Sequence, residues 1–324
     1  MLRLILVPLD GSAFGELALP LALPIAERQR AELELVHVYE STPPYLVQGA
    51  PPIDPGLDED LKRDRESYLE SVAGWLRRST AVPVTAALLD GDDVASVLVE
   101  HIARRHADLV TMTTHGRSGV SRLWMGSVAS DVVRRSASPV LVIRPDESGS
   151  RDEHAPPFRR VLVPLDGSPA DDDAIDDVLA VAGSDGVEFT LLHVIVPVVY
   201  LAEPPQVAVL TEVELETAAE RYLQETARKL QPRGFAVTTR VVTHTQPARA
   251  ILEYATEWGA DLIAMETHAR TALERVLLGS TTDKVIRASH VPVLVHRQRV
   301  DADEGASRSS AGAHAATSAR PRAK

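Results

Sequence analysis

Short aliphatic runs alternate along the chain with stretches in which apolar residues recur every three to four positions. Each aliphatic run is four to eight residues long and predicts a strand buried on both faces of a sheet. In the first half these predicted strands cover residues 2–9, 33–39, 82–89, 109–113 and 140–143. The predicted helices between them cover residues 14–28, with a kink at its prolines, then 61–76, 94–102 and 127–136. This alternation predicts a doubly wound α/β domain with a parallel sheet.

The same pattern occurs twice in the chain. Residues 5–12 return as residues 161–168 with seven of eight positions identical, and residues 35–38 return at the same offset of 156 as residues 191–194. Later blocks repeat at an offset of 153, among them Gly126-Ser127, which returns as Gly279-Ser280. Two copies of one domain account for the 324 residues, at roughly 150 residues per domain.

Composition shifts mark the domain limits. Residues 145–157 contain no Val, Leu or Ile, and residues 301–324 contain none of these and no aromatic residue. Segments so poor in apolar side chains cannot bury enough surface to order themselves. We therefore predict domain 1 at 1–145, a linker at 146–157, domain 2 at 158–299 and a disordered tail at 300–324.

Charge and composition exclude several classes of protein. The net charge of −12 argues against a nucleic-acid binder, which needs a positive surface. The chain has no cysteine, so disulfides and thiolate ligands are excluded. No stretch has the length of a membrane span or the form of a signal peptide, which predicts a cytoplasmic protein without membrane contact.

Residues suited to binding an anion lie where strands one and four end. Asp10 closes the first predicted strand, and residues 113–116 end the fourth. Gly126 and Ser127 then open a helix, whose free N–H groups and dipole attract anions. Asp10 is placed either to accept hydrogen bonds from a ribose or to end the strand in an Asx-turn. Ser127 could cap the helix or donate to a phosphate, so these residues predict a nucleotide site.

Familiar catalytic motifs do not occur. The glycine loop lacks the Gly-Lys-Ser/Thr ending of a P-loop, and no Gly-x-Gly-x-x-Gly follows the first strand. There is no Gly-x-Ser-x-Gly elbow, no His-Glu-x-x-His motif and no cluster of histidines at metal-ligand spacing. We therefore predict a binding protein rather than an enzyme, with slow hydrolysis of a bound nucleotide as the most that this pattern allows. His37 and His193 are predicted to be hydrogen-bonded core residues.

The order of these motifs strongly resembles the universal stress protein family. The motifs are Val-Pro-Leu-Asp-Gly-Ser, His-Val, Thr-His-Gly followed after nine residues by Gly-Ser, and Ser-Pro-Val-Leu-Val. The resemblance covers both halves and implies two tandem copies of a five-stranded parallel α/β domain. This domain is flavodoxin-like or Rossmann-like, of the adenine nucleotide alpha hydrolase type. Members of the family pair through the last strand, and one branch binds ATP.

The resemblance also implies a residue set for ATP, which could arrive with Mg²⁺. Asp10 and the backbone of Val38 would contact the adenosine, and Arg117 either reaches a phosphate or stays in solvent. The implied set in the first domain is Pro8, Leu9, Asp10, Val38, Thr113, His115, Gly116, Arg117, Gly126, Ser127 and Val128. Thr113 departs from the family pattern, which has glycine at that position.

The second domain departs further from the pattern. It keeps Asp166, Val194, Gly279 and Ser280, but Glu266 stands at the position of Thr113 and Ala269 at that of Gly116. A carboxylate about 4 Å from a phosphate costs on the order of 4 kcal/mol at an effective dielectric constant of 20. That is roughly a thousandfold in affinity, so we expect a degenerate second site.

Two functions remain open at this point. The first is an ATP-binding regulatory protein of the stress response that acts on an unidentified protein partner. The second is a ligand-independent dimerisation or interaction module in which both nucleotide sites are vestigial. In either case residues 140–143 and 293–295 are natural edge strands. Pairing them would remove two exposed edges and form an internal pseudo-dimer, and the resemblance also allows a homodimer.

Overall fold

A computed structural model describes most of both halves of the chain. The described residues are 1–40, 55–114, 125–144, 158–167, 172–183, 186–197, 212–231, 234–267 and 279–297. The predicted linker and tail lie outside these ranges. So do His115, Gly116, Arg117 and Ala269 of the predicted sites.

Strands and helices alternate in the first half as the apolar pattern predicts. The elements are β1 Leu4–Pro8, α1 Ala13–Glu16, α2 Leu19–Gln29, β2 Glu32–Tyr39, α3 Pro55–Ser79, β3 Val84–Asp90, α4 Val94–Arg105, β4 Leu109–Thr113, α5 Ser127–Arg135 and β5 Val140–Ile143. Every residue of β4 and β5 is buried, as expected for strands covered on both faces.

The second half repeats this order over its described residues. Its elements are β6 Arg160–Leu165, α6 Asp172–Ala182, β7 Glu188–Ile195, α7 Glu212–Leu230, β8 Ala236–Thr243, α8 Pro247–Trp258, β9 Leu262–Thr267, α9 Ser280–Ala288 and β10 Val293–Arg297. The repeat seen in the amino-acid sequence is therefore a repeat of structure.

All ten strands belong to one sheet, in the order β3-β2-β1-β4-β5-β10-β9-β6-β7-β8. Within each half the order is 3-2-1-4-5 and every pairing is parallel, which confirms the predicted tandem α/β fold. This is the Rossmann-type order, in which the direction of winding reverses between the first and fourth strands. Ligands on such sheets bind beyond the carboxyl ends of those two strands.

The two halves join through β5 and β10, the strands predicted to pair. These strands are antiparallel, with Leu141 opposite Leu294 and Val142 opposite Val293. Leu141 and Leu294 are both fully buried and belong to one apolar cluster that extends into both halves. The join therefore converts two exposed sheet edges into continuous core.

Helices of the two halves also touch across this join. The guanidinium of Arg28, at the end of α2, donates to the carbonyl oxygens of Ala180 (3.2 Å) and Val181 in the last turn of α6. The side-chain amide of Gln29 donates to the same Ala180 oxygen at 2.7 Å. Burial lowers the pKa of Arg28 below its usual range. These donors satisfy carbonyl groups that have no partner within α6.

One predicted helix is divided in the structure. Residues 14–28 were expected to form a single kinked helix, but α1 ends at Glu16 and α2 begins at Leu19. Pro20 has no N–H to donate to the carbonyl group four residues earlier, so the α-helical ladder cannot cross this point. Proline is favoured in the first turn of a helix, where Pro20 lies in α2. Pro24 is accommodated inside α2.

Candidate functional site

A cavity of about 590 Å³ opens at the carboxyl ends of β1, β2 and β4. Helices α3, α4 and α5 form its walls. Its lining is Pro8, Leu9, Asp10, Gly15, Val36, His37, Val38, Tyr39, Glu40, Leu61, Arg65, Val94, Leu98, Met112, Thr113, Thr114, Gly126, Ser127, Val128 and Ala129. The volume lies within the usual range for small-molecule sites, roughly 300–1,000 Å³.

The structure gathers in this cavity every first-domain site residue that it describes. These residues come from three strand ends and one helix start, and they are Pro8, Leu9, Asp10, Val38, Thr113, Gly126, Ser127 and Val128. The remaining three, His115, Gly116 and Arg117, fall between Thr114 and Met125, outside the described residues.

The first turn of α5 forms one end of the cavity. Gly126 is the N-cap residue, and its N–H donates to the carbonyl oxygen of Thr114 at 2.8 Å. A Cβ atom at Gly126 would lie 3.1 Å from that oxygen, so the close approach favours glycine. The N–H groups of Ser127, Val128 and Ala129 have no acceptor within the helix. This end is therefore suited to an anion.

Ser127 does not cap its own helix. Because Gly126 occupies the N-cap position, α5 has no side-chain cap, and Ser127 is the first helical residue with its side chain exposed. Of the two roles considered for Ser127, capping is therefore wrong. Its hydroxyl group remains available at the cavity.

Asp10 forms the turn that ends β1. Its Oδ1 atom accepts hydrogen bonds from the backbone N–H (3.0 Å) and the hydroxyl group (2.7 Å) of Ser12. A Cβ atom at Gly15 would lie 2.6 Å from the same Oδ1, so α1 can pack here only with glycine. The buried His37 holds the adjacent Leu9 carbonyl oxygen through Nδ1 at 2.7 Å. Asp10 is thus both a turn-forming residue and part of the cavity lining.

The start of α3 forms the opposite wall and is held by two contacts. The hydroxyl group of Tyr39, at the end of β2, donates to Asp58 Oδ1 at 2.6 Å. This hydrogen bond, together with burial, raises the pKa of Tyr39 to about 12. The ammonium group of Lys62 lies 2.8 Å from Asp90 Oδ1 at the end of β3. Arg65, one turn further along the helix, contributes to the cavity lining.

Sequence reasoning missed this wall and the apolar wall from α4. Leu61 and Arg65 are spaced i, i+4 and so share one face of α3, while Val94 and Leu98 do the same on α4. Those spacings predicted which faces of the helices are buried. They did not indicate that residues near the starts of α3 and α4 would enclose a cavity.

The corresponding residues of the second half occupy equivalent places. Gly279 is the N-cap residue of α9, followed by Ser280, and Asp166 follows β6. His193 Nδ1 lies 2.9 Å from the Leu165 carbonyl oxygen, as His37 Nδ1 does from that of Leu9 at 2.7 Å. The prediction of a hydrogen-bonded core residue is therefore confirmed for His37, whereas His193 keeps the hydrogen bond but is only half-buried. Val194 lies near the end of β7.

Negative charge concentrates around this second position. Burial raises the pKa of Tyr222 on α7 to about 12, and the charges of Asp166 and Glu266 raise it as well. Both carboxylates are therefore close to one phenol group. The strand register also places Glu266 beside His296, whose Nδ1 lies 2.7 Å from Asp177 Oδ2.

The described residues offer neither a metal-ligand group nor a membrane-spanning helix. On the part of the chain that the structure describes, no group of three or more His, Asp or Glu side chains is arranged to hold a metal ion. None of the described helices is long and apolar enough to cross a membrane.

Fold and cavity together define a class: tandem α/β proteins with a ligand-sized cavity at the winding reversal of the parallel sheet. The profile of the universal stress protein family matches residues 1–144 and again 157–297. The chain therefore belongs to the universal stress protein family, and both halves are members of it.

Individual relatives agree with this assignment. A universal stress protein of Mycolicibacterium smegmatis is 27% identical over 302 residues, which cover 91% of this chain and 97% of the relative. One from Mycobacterium tuberculosis is 36% identical over 196 residues, or 59% of this chain and 62% of the relative. A crystal structure of a universal stress protein from Archaeoglobus fulgidus has a TM-score of 0.64 at 21% identity, covering 92% of this chain and 97% of that one. This last similarity concerns the fold alone.

Proposed function

We propose that this protein is a nucleotide-binding regulator of the stress response, with ATP held mainly in the first-domain cavity. The observation that carries the proposal is the convergence of residues from β1, β2, β4 and α5 on one cavity of about 590 Å³. Eight of these residues are the ones that the family motif implies for ATP. No catalytic step is part of the proposal, and the protein partner that reads the bound state is unidentified.

The chemistry of the cavity fits a nucleotide in one orientation. The α5 end offers the free N–H groups of Ser127, Val128 and Ala129 together with the positive end of the helix dipole, which suits phosphates. At the other end lie Asp10 and Glu40, whose carboxylates would repel phosphates but accept hydrogen bonds from ribose hydroxyl groups. The aliphatic wall from α4 suits the flat face of a base. Mg²⁺ would enter with the phosphates.

The second domain is proposed to bind nucleotide weakly or not at all. Asp166 and Glu266 are both close enough to Tyr222 to raise its pKa. Two carboxylates therefore lie in the second domain at the positions of Asp10 and Thr113 in the first. An added carboxylate about 4 Å from a polyphosphate weakens its binding free energy by on the order of 4 kcal/mol. Gly279 and Ser280 keep the start of α9 suited to an anion. The two nearby carboxylates, however, would repel that anion.

The test is a calorimetric titration of ATP with Mg²⁺ into three full-length proteins. They are the wild type, Gly126→Asp, and the matched variant Gly279→Asp in the second domain. At Gly126 a side chain meets the Thr114 carbonyl oxygen at 3.1 Å and carries a negative charge into the anion end. At Gly279 the nearest atom to a Cβ is 3.8 Å away, an ordinary contact, so this variant controls for loss of glycine at an N-cap.

One site per chain, abolished by Gly126→Asp and unchanged by Gly279→Asp, is the expected result. Two sites per chain would refute the degeneracy of the second domain. Absence of binding by the wild type would refute nucleotide binding altogether and favour the ligand-independent interaction module. Thermal unfolding of each variant separates loss of a site from loss of the fold.

A further inference from the structure

Three cations lie close together near the start of α3, and they differ in their partners. Lys62 pairs with Asp90, and the exposed Arg63 pairs with Asp60 at 2.6 Å. Arg65 is the one of the three that lines the cavity. On the described part of the chain no carboxylate forms an ion pair with it. Its side chain is only partly exposed, and it lines the cavity without an ion-pair partner among the described residues.

Comparison of the two halves shows that the second half carries no cation at the equivalent position of its helix α7. The core positions of α3 and α7 correspond at a constant offset of 154, which pairs Leu69 with Leu223 and Leu76 with Leu230. The same offset places Arg65 opposite Ala219, which is buried. The fold therefore does not require an arginine here, because the second half forms the same helix with alanine.

Strand order gives the position of Arg65 within the cavity. The residue lies on the wall beside the end of β2, and its charge acts on Tyr39 of that strand. The anion end lies at β4, where Gly126 bonds to Thr114. Strand β1 separates β2 from β4, so the two ends are about 10 Å apart. Because the phosphates are assigned to the α5 end, Arg65 stands at the nucleoside end.

We propose that Arg65 is a binding residue for the nucleoside part of the ligand. Its planar guanidinium group, with five N–H donors, would contact acceptor atoms of the base or ribose, or stack on the base. The proposal rests on nucleotide binding in the first-domain cavity and adds a contact from α3 to it. It also explains why Glu40, at the end of β2, is tolerated beside a ligand, since the cation offsets part of its charge.

The test uses full-length protein and three ligands, adenosine, AMP and ATP with Mg²⁺. Affinities are measured for the wild type, Arg65→Ala and Arg63→Ala. Alanine is the residue that the second half carries at this position, so Arg65→Ala should fold normally. Arg63 lies two residues away on the same helix, is exposed and is not part of the cavity lining, which makes it the matched control.

Arg65→Ala is expected to weaken all three ligands by the same factor of about ten or more, the loss typical of a hydrogen bond to a charged group. Arg63→Ala should leave them within about twofold. A loss confined to AMP and ATP would overturn the nucleoside assignment and make Arg65 a phosphate contact. Equal affinities in Arg65→Ala and Arg63→Ala would overturn the contact itself. Failure of the wild type to bind any of the three would instead refute the proposed function.

Discussion

The join between the two halves predicts a specific energetic coupling. Leu141 of β5 and Leu294 of β10 lie directly opposite each other and are fully buried. Replacing either buried leucine with alanine is expected to lower the free energy of unfolding by about 3 kcal/mol, within the usual span of about 2–5 kcal/mol. The two vacated volumes adjoin, so the second substitution removes a contact that the first has already weakened. The double variant should therefore cost about 1 kcal/mol less than the sum.

The assay is urea unfolding of the full-length protein, followed by far-UV circular dichroism. A second cycle supplies the control, combining Leu141→Ala with Leu33→Ala. Leu33 is equally buried but lies in β2, three strands and so about 14 Å from β5. That pair should be additive within about 0.5 kcal/mol.

The result that would refute the reasoning is additivity in both cycles. Leu141 and Leu294 would then not share a packed interface in solution, and the ten strands would form two separate sheets. Coupling of similar size in both cycles would also count against a local contact, because it would indicate a general loss of cooperativity.

Three further outcomes are expected. The hydrogen bond to Asp58 raises the pKa of Tyr39 to about 12. The folded state therefore holds this proton more tightly than the unfolded chain, and that part of the stability is lost as the pH rises from about 10 to about 12. Tyr39→Phe should flatten the fall in urea-unfolding stability over that range. Glu34→Gln should lower stability by about 2 kcal/mol in a urea titration, because it removes the charge of a buried carboxylate that pairs with the half-exposed Arg105 at 3.1 Å. Glu32→Gln, which loses only the more exposed contact with Arg105, should cost less than about 0.5 kcal/mol. ATP at a hundred times its Kd should stabilise the wild type by about 2.7 kcal/mol, and an unchanged thermal midpoint would contradict binding to the folded state.

Local pattern was enough to predict the strands and the pairing of the two edge strands, β5 and β10. The run at β5 is apolar at every position, and such a run is typical of a strand covered on both faces. The predicted helix over residues 14–28 failed because its apolar spacing continues across Pro20, where the hydrogen-bond ladder cannot. Periodicity reports the burial of side chains but not the loss of a backbone donor.

The candidate site was partly predictable for a similar reason. Asp10, Gly126 and Ser127 follow strand ends or open a helix, so their positions relative to the sheet follow from the chain itself. Arg65 carries no such mark. It reaches the cavity because α3 is held to the ends of β2 and β3 by the Asp58 and Lys62 contacts.

The amino-acid sequence by itself determined the tandem repeat, the α/β class and the strand-end residues of the first domain. These depend on hydrophobic period and on motif order, which are local properties of a chain. The tertiary structure alone decided that α3 closes the cavity with Arg65 and that Leu141 meets Leu294 in exact register across the two halves. Arg65 lies 26 positions along the chain from Tyr39, and Leu294 lies 153 positions from Leu141. Their partners are selected by packing of whole elements, and no local period carries that information.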